Sequence, residues 1–514
     1  MTLLCVSIFV ESIDQARRDI ARAIEAGAEI VELRLDRLTE TEDLPRLVAG
    51  FSGRFLFTCR PFWEGGESML DDEGRRVILE AARAAHPMSA VDIEFNALKD
   101  SPKLHNDLAP TRIVSYHDFE SRPADLTKRF VAMQESDAEV VKLAWTARSL
   151  RDNAEAFELM KSGAKPTIAI CMGEAGQISR ILAKKFRAYL SFASLDRESS
   201  TAPGQVTIDD MKRIYRWDSI KPKTKVFGVI GSPVSHSMSP AVHNAAFESI
   251  GFDGVYVPFL VNEGYESFKA FMETFVSDEF DLCGLSITLP HKENALQYAL
   301  EKRWKVDKEA RRIGALNTFV GPNSKRSKKW NAFNSDSSAI IGTICAALGI
   351  EASDLSKRSI GVIGAGGTGR TAVAALSALR CSISIFNRAP DRAEKIASEF
   401  GSKKVRIEAQ SIESLADSSL DVYINTTSIG MSPSVDASPF DFGIPRMNSN
   451  TLVFDSVYNP LETKLIRQAR ESGAKTVGGI EMFLRQAAMQ FEAWTGQPAP
   501  IEVMRRVILE RLSK

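Results

Sequence analysis

The sequence predicts an α/β fold in two parts, on three observations. Short β-branched apolar runs alternate with amphipathic stretches through the first 217 residues, and eight such runs can be counted. That is the repeat of a (β/α)8 barrel of the TIM type. A polar segment with one proline follows, Asp218-Ser-Ile-Lys-Pro-Lys-Thr224. Beyond it, at Val362 to Arg370, an apolar run passes through Gly-Ala-Gly-Gly-Thr-Gly into a strong helix former. Strand, glycine turn and helix in that order describe a Rossmann-type dinucleotide unit. At 514 residues, roughly three domains are expected at about 150 residues each.

Composition narrows the function classes. Hydrophobic residues make up 44% and charged residues 25% of the chain, the values of an ordinary globular protein. Lys plus Arg number 65 against 66 Asp plus Glu, so no net field favours nucleic acid or an anionic membrane, and small-molecule partners are expected. Cys5, Cys59, Cys171, Cys283, Cys345 and Cys381 form no C-x-x-C pair, which reads as free thiols in a reducing compartment. His86, His105, His117, His236, His243 and His291 show no metal-ligand spacing, so no metal site is expected. No apolar run approaches a membrane span, and Met1 leads directly into the strand-like Leu3 to Phe9. The expectation is a cytoplasmic enzyme.

In the first part the strand runs are Leu3 to Phe9, Ile30 to Leu35, Phe55 to Cys59, Ala90 to Phe95, Arg112 to Tyr116, Glu139 to Trp145, Thr167 to Met172 and Tyr189 to Leu195. Between them lie helical patterns such as Ile13, Ala16, Ile20, Ala23, Ile24 and Val131, Met133, and a helix after Ile208 closes the unit near Tyr215. Barrel chemistry sits at the C-terminal ends of strands. Glu32, Arg34, Arg60, Asp92, Glu94, His117 and Lys142 fall on or just after strands, and Arg180 follows the seventh. Lys142 has apolar neighbours in Val140, Val141, Leu143, Ala144 and Trp145, and desolvation favours a neutral amine that attacks ketones. The imine is an electron sink, so a nearby imidazole, His117, can remove the adjacent proton and later protonate a leaving hydroxyl. Glu64, in Trp63-Glu-Gly-Gly-Glu67, suits the task of orienting His117. The plainer alternatives are a solvent-reaching lysine, a capping histidine, and arginines spent on rim acids. Taken together, the basic residues imply an anionic substrate, and Thr201 to Gln205 adds polar groups on the eighth loop.

Six motifs, in order, carry a resemblance. They are Glu32-Leu-Arg-Leu-Asp36, Cys59-Arg60 with Glu64 to Glu67, Val114-Ser-Tyr-His-Asp-Phe119, Val140-Val-Lys-Leu-Ala144, Gly176-Gln-Ile-Ser-Arg180 and Ala202-Pro-Gly-Gln205. They resemble type I 3-dehydroquinate dehydratase over residues 1 to 217. The resemblance implies Lys142 as the imine-forming residue and His117 with Glu64 as the proton carrier. It further implies that Arg180 and Gln205 hold a substrate carboxylate, while Glu32, Arg34 and Arg60 meet hydroxyls. Thr201 stands where the family often has serine.

After the 218–224 linker comes Val226-Phe-Gly-Val-Ile-Gly-Ser-Pro-Val-Ser-His-Ser-Met-Ser-Pro240, a strand, a turn and a helix start. Ser237 and Ser239 there suit an anion, or else merely cap the helix. Gly284 to Lys292 reads as a strand running into a lysine, and Lys325 to Lys329 as a solvated hairpin tip. In the glycine loop, Gly364 permits the turn, Gly366 admits a pyrophosphate, and Gly369 lets helix and strand approach. The following strand ends in Asn387-Arg388, where an NAD-binding unit places an acidic residue for the ribose hydroxyl. Arg388, with Arg392 a turn later, suits a 2′-phosphate, so NADP is the expected cofactor.

These motifs, with Gly314 to Phe319, Ala332 to Asp336, Ile424 to Met431, Asp455 to Tyr458 and Gly479 to Gln486, resemble shikimate dehydrogenase over residues 225 to 514. The resemblance implies Lys292 and Asp336 as the proton-transfer pair. It places Thr288, Asn317, Tyr458 and Gln486 on the substrate, with Ser237 and Ser239 at its carboxylate. Gly364, Ala365, Gly366, Gly367, Gly369, Asn387, Arg388, Arg392, Thr426 and Gly479 fall on the cofactor side. Ser286 replaces a common asparagine, and Ser335-Asp336-Ser337 replaces Thr-Asp-Gly, which leaves the choice between shikimate and quinate open. The expected division is a barrel at 1–217, a substrate domain at 225–332 completed by 482–514, and an NADP domain at 333–481. Both halves together imply consecutive steps, the dehydration of 3-dehydroquinate to 3-dehydroshikimate and its NADPH-dependent reduction to shikimate. The rivals are a quinate-directed dehydrogenase and a metabolite-sensing regulator without turnover.

Overall fold

Residue alternation along each strand builds the first part. The computed structural model describes residues 2–100, 110–199, 201–277, 279–322 and 329–513. Eight strands, β1 Leu3–Phe9, β2 Ile30–Arg34, β3 Phe55–Thr58, β4 Ala90–Glu94, β5 Thr111–Asp118, β6 Val140–Thr146, β7 Thr167–Met172 and β8 Leu190–Ala193, run parallel. Their order is β7-β6-β5-β4-β3-β2-β1-β8. Among the described residues no ladder joins β7 to β8, although Tyr189 N donates to Thr167 O at 2.9 Å across that seam. The barrel is therefore stitched on every side but one. β8 is shorter than the run Tyr189 to Leu195 because Ser194 N turns to Val206 O in the next loop.

Successive side chains point to opposite faces of a strand. Cys5, Ile30, Leu56, Ala90, Ile113, Val140, Ala144 and Ile168 fill the barrel interior, while Leu4, Val6, Leu33, Phe57, Val91, Val141 and Leu143 face the helices. Glu32, Asp92, His117 and Lys142 share the parity of the interior set. The first helix, Ile13–Glu25, opens on a capping box of Ser12 and Gln15 and buries Ala16, Ile20 and Ala23. Ile24 and Val131, expected in apolar stripes, lie instead on exposed faces of their helices.

The second part has two sheets. β9 Lys225–Gly231, β10 Gly254–Leu260, β11 Leu282–Ile287, β12 Lys305–Val306, β13 Thr318–Val320 and β14 Asn331–Phe333 form a mixed sheet in the order β10-β9-β11-β13-β14-β12. The basic run at Lys325 lies outside the described residues, apart from exposed Lys329. β15 Ser359–Ile363, β16 Ser382–Asn387, β17 Ile407–Ser411, β18 Val422–Asn425, β19 Leu452–Asp455 and β20 Lys475–Val477 form an all-parallel sheet ordered β17-β16-β15-β18-β19-β20. This is the doubly wound 3-2-1-4-5-6 order, whose ligand crevice lies where the order reverses, at β15 and β18. The helix Gly479–Thr495 carries Phe483, Leu484, Ala487 and Phe491 back onto Phe227, Val242 and Tyr256.

The segment between the two parts does not behave as a spacer. Trp217 is fully buried. Lys185 Nζ donates to Pro222 O at 3.1 Å, Thr224 O at 2.9 Å and Asp281 Oδ2 at 2.7 Å. Phe186 stacks on Phe157 at 3.9 Å and lies 5.9 Å from Phe280. One apolar cluster thus runs from the barrel into the mixed sheet.

Candidate active sites

At the open end of the barrel, inward parity brings the basic and acidic residues into one cup. Lys142 Nζ donates to Asp92 Oδ2 at 2.8 Å, lies 3.9 Å from Glu32 Oε1 and sits 4.5 Å from the Phe192 ring centre. The neighbours of Lys142 in sequence expected to desolvate it, Val141 and Leu143, point away to the helices, and its amine meets the Asp92 carboxylate instead. Asp92 also accepts from Arg60 Nη2 at 2.7 Å and from Ser115 Oγ at 2.5 Å. Burial opposes its ionisation, but Arg60 and Lys142 outweigh burial and hold Asp92 well below the usual carboxylate range. Glu32 is tied to Ser7 at 2.5 Å and Thr58 at 2.9 Å.

Glu64 Oε1 accepts from the backbone N of His117 at 3.0 Å and lies 3.0 Å from its Nδ1. That contact assigns the other nitrogen, Nε2, to the cup. Burial holds the imidazole well below its ordinary pKa, helped by Arg60 and Lys142. Burial also pushes the Glu64 carboxyl up to about 8, despite Arg60 at 3.6 Å. The neutral imidazole is the form of a general base.

The three arginines separate by partner. Arg34 pairs with Asp36 at 2.5 Å, and Arg60 with Asp92 and Glu94 at 2.7 Å each. Arg180, 1% exposed, has no carboxylate partner among the described residues: Nη1 donates to Cys171 O at 2.8 Å and Nε has no partner. Burial brings its guanidinium down to about 10, so it is still charged at neutral pH. An unpaired buried cation in a polar cup is a waiting anion site. Gln205 Nε2 donates to Thr201 Oγ1 at 3.1 Å beside it, and these two line one small cavity with Arg34, Arg60, Arg180, Lys142, Glu64 and His117.

The second site lies between the two sheets of the second part. Lys292 opens the helix Lys292–Glu301, and its Nζ donates to Asp336 Oδ2 at 2.5 Å. Asp336 is set by its own helix start, where the Asn334 side chain accepts from the backbone N of Asp336 and Ser337 at 3.0 and 3.3 Å. Asn317 Oδ1 accepts from Ser335 N at 2.8 Å. A cleft of about 390 Å³ is lined by this pair together with Ser237, Ser239, Thr288, Asn317, Tyr458, Gly479 and Gln486. Ser239 is not a cap: the N-cap is Met238, without a side-chain bond.

The glycine loop fits a dinucleotide. Gly364 has φ +105°, and a Cβ at Gly369 would meet Gly364 O at 2.2 Å, so both positions demand glycine. A Cβ at Gly366 or Gly367 would meet nothing within 4 Å, leaving the N-terminus of the helix Gly367–Ala378 open to an anion. Asn387 Oδ1 accepts from Ala365 N at 3.2 Å, and Thr426 Oγ1 donates to Ile363 O at 2.8 Å. Asn387 and Thr426 therefore brace the loop. Arg388 and Arg392 are exposed at its edge.

Several contributors escaped the sequence reading. Arg75 pairs with Glu94 and donates to Cys59 O at 3.2 Å, with no local spacing to announce it. Gln490 takes the Ser286 hydroxyl at 2.8 Å and donates to Thr318 Oγ1 at 3.0 Å. It lies four residues after Gln486, so helical spacing could have found it.

Comparison with known proteins agrees with this geometry. Type I 3-dehydroquinase matches residues 4–222, the shikimate dehydrogenase substrate binding domain 229–319, shikimate / quinate 5-dehydrogenase 347–455, and the shikimate 5'-dehydrogenase C-terminal domain 479–509. The bifunctional 3-dehydroquinate dehydratase/shikimate dehydrogenase, chloroplastic, of Arabidopsis thaliana is 38% identical over 524 residues, which is 98% of this chain and 83% of that protein. The chain belongs to this bifunctional family. It is an enzyme of the shikimate pathway that dehydrates 3-dehydroquinate and acts as a shikimate dehydrogenase. The shikimate dehydrogenase (NADP(+)) of Methanosarcina mazei is 38% identical over 294 residues, covering 56% of this chain and 99% of that protein. A crystal structure of a shikimate dehydrogenase in complex with NADP+ is similar at 33% identity and a TM-score of 0.50, over 57% of this chain and 98% of its own. No helix among the described residues is long and apolar enough to cross a membrane.

Proposed function

We propose that this bifunctional enzyme runs the two reactions at two separate sites, through the residues singled out above. The chain divides into a dehydratase barrel at 1–217, a linker at 218–224, a substrate domain at 225–332 completed by 482–514, and an NADP domain at 333–481. In the barrel, 3-dehydroquinate enters with its carboxylate on Arg180 and Gln205, with Thr201 beside them. Its hydroxyls meet Glu32, Arg34 and Arg60, and its ketone displaces the Asp92 contact of Lys142. The amine adds to the carbonyl carbon and water leaves, giving the imine. Nε2 of His117 removes the adjacent proton, and the electron pair enters the imine. His117 then returns that proton to the departing hydroxyl, which leaves as water, and hydrolysis of the imine frees 3-dehydroshikimate and Lys142. The observation that carries this reading is a buried Arg180 without a counter-ion among the described residues, in the same cavity as Lys142 and the Glu64–His117 pair.

In the second site Ser237 and Ser239 take the carboxylate of 3-dehydroshikimate. Thr288, Asn317, Tyr458 and Gln486 take its ring. NADPH supplies the hydride when bound. Gly364, Gly366, Gly367 and Gly369, braced by Ala365, Asn387 and Thr426, admit its pyrophosphate. Arg388 and Arg392 select the 2′-phosphate, and Gly479, where a Cβ would meet Ser456 O at 2.3 Å, lets its helix start close against the Ser456–Val457 backbone beside the cofactor. Lys292 gives its proton to the carbonyl oxygen, and Asp336 holds the lysine in place. The partners are these small molecules and neither nucleic acid nor membrane. The free thiols of all six cysteines support a reducing compartment, which we take to be the cytoplasm. Quinate is the second reading, favoured by the small Ser286 in the cleft wall. Comparing initial rates on shikimate and quinate decides between them. A regulator without turnover is disfavoured because Lys142, His117, Lys292 and Asp336 are all present. Borohydride reduction in the presence of 3-dehydroquinate should leave a mass adduct on the peptide containing Lys142. An adduct on another lysine overturns the assignment.

A further inference from the structure

The dehydratase cup has one wall that leans on the other half of the chain. Arg180 sits on a helix of five residues, Gln177–Ile181, too short to persist without packing. On one side that helix meets β7 and on the other it packs against β10, a strand of the mixed sheet in the second part. Ile178, Ile181 and Leu182 are fully buried there. Four residues beyond its end, the three donors of the Lys185 ammonium are all spent on the second part and its lead-in: Pro222 O, Thr224 O and Asp281 Oδ2, at 3.1, 2.9 and 2.7 Å. On the same face Arg216 Nη1 donates to Phe252 O at 3.2 Å and Gly254 O at 2.8 Å, at the start of β10. Arg187, Arg216 and Asp281 hold φ of 63°, 55° and 53°. Such left-handed backbone in non-glycine residues persists where surrounding contacts over-determine it.

We infer that Lys185 and Asp281 are positioning residues for the dehydration, acting through Arg180. The inference rests on the reading of Arg180 as the anchor of the substrate carboxylate. Arg180 has little of its own to fix it: one bond from Nη1 to Cys171 O, an unpartnered Nε, and a backbone carbonyl that accepts from Ser191 Oγ at 2.9 Å. Where its guanidinium points therefore follows where its helix lies: Ser179 ties that helix to the barrel through Cys171 N, Asn153 Oδ1 and Gly176 O, and the clamp to β9–β11 holds its other side. The reductase half is in this sense a structural part of the dehydratase site.

The test uses the full chain with four changes: Arg180→Ala, Lys185→Met, Asp281→Asn and the Arg180→Ala/Lys185→Met double variant. Both activities are measured on each preparation. Lys185→Met should raise the dehydratase KM for 3-dehydroquinate about tenfold with kcat near the parent value, the pattern of a weakened binding contact made equally in ground and transition state. Reduction of 3-dehydroshikimate should be unchanged, which also certifies that the protein is folded. Asp281→Asn keeps an oxygen acceptor and tolerates its backbone angle, so its effect should be smaller in the same direction. The double variant should be no worse than Arg180→Ala alone. Full additivity in the double variant overturns the inference, because the clamp would then act on something other than Arg180. So does an unchanged KM in Lys185→Met. If Arg180→Ala itself leaves KM unchanged, the anchor reading fails first and takes the inference with it.

Discussion

The two lysines proposed to act in the two reactions live in opposite settings. Lys142 projects from the middle of a strand into the barrel, 6% exposed, and is one member of a network that includes Asp92, Glu32, Arg60, Glu94 and Ser115. Lys292 stands at the first turn of a helix, 16% exposed, and has one partner among the described residues, Asp336. The cavities differ as well, about 50 Å³ around Lys142 against about 390 Å³ around Lys292. A nucleophile that forms a covalent bond needs its amine, the proton carrier and the substrate fixed together, and the tight cup at the barrel's end supplies that. A lysine that only hands a proton to an oxygen needs one counter-ion and room for two ligands. The same residue type is thus adapted to two reactions by the element that carries it.

The sharpest way to break the comparison is to remove the proposed proton donor. Lys292→Ala or Asp336→Ala in the full chain should cut reduction of 3-dehydroshikimate by roughly 10² to 10⁴ fold, the usual range for a general acid. Dehydration by the same protein should stay near normal, and a fall in both rates would mean that the two lysines serve one site.

Next in size is the orientation of His117. Glu64→Ala should lower dehydratase kcat about a hundredfold, with KM moving less. Because burial and neighbouring cations depress the His117 pKa, the active neutral imidazole persists as pH falls past about 6.5. The acid limb of dehydratase kcat/KM should lie well below that value. A limb near 6.5 would place the imidazole in an ordinary aqueous setting and contradict the buried pair, whereas one near 8 would belong to the Glu64 carboxyl.

Smaller still is the effect at the cofactor edge. A charge-assisted hydrogen bond contributes roughly 1.5 to 3 kcal/mol, and Arg388 is exposed, so the lower end applies. Arg388→Ala should weaken NADP binding about tenfold on that scale and leave NAD binding nearly untouched, as titration of cofactor fluorescence can show. Equal loss for both cofactors would make Arg388 a support of the fold. Smallest is Gln490→Met, which frees the Ser286 hydroxyl and should raise KM for 3-dehydroshikimate a few fold with little change in dehydration.

Much of this arrangement was legible because it follows local periodicity. The eight barrel strands and the glycine loop sit where alternation and motif spacing put them, whereas the Lys292–Asp336 pair comes from the resemblance to shikimate dehydrogenase alone. What stayed hidden depends on contacts remote in sequence. The partner of Lys142 is fifty residues away at Asp92, and strand neighbours point the wrong way to reveal it. Arg75 meets Glu94 through the helix layer, and Lys185 meets Asp281 across the two halves. The segment Asp218 to Thr224 looks like a linker from its composition, yet its carbonyls are held from the barrel side.

The central claim is that the two chemistries are separate although the two halves are clamped together. Lys142→Ala in the full chain, supplied in turn with 3-dehydroquinate and with 3-dehydroshikimate in the presence of NADPH, tests it most directly. The account predicts no NADPH oxidation with the first substrate and a near-normal rate with the second. Loss of both rates in a protein whose circular dichroism matches the parent would contradict it.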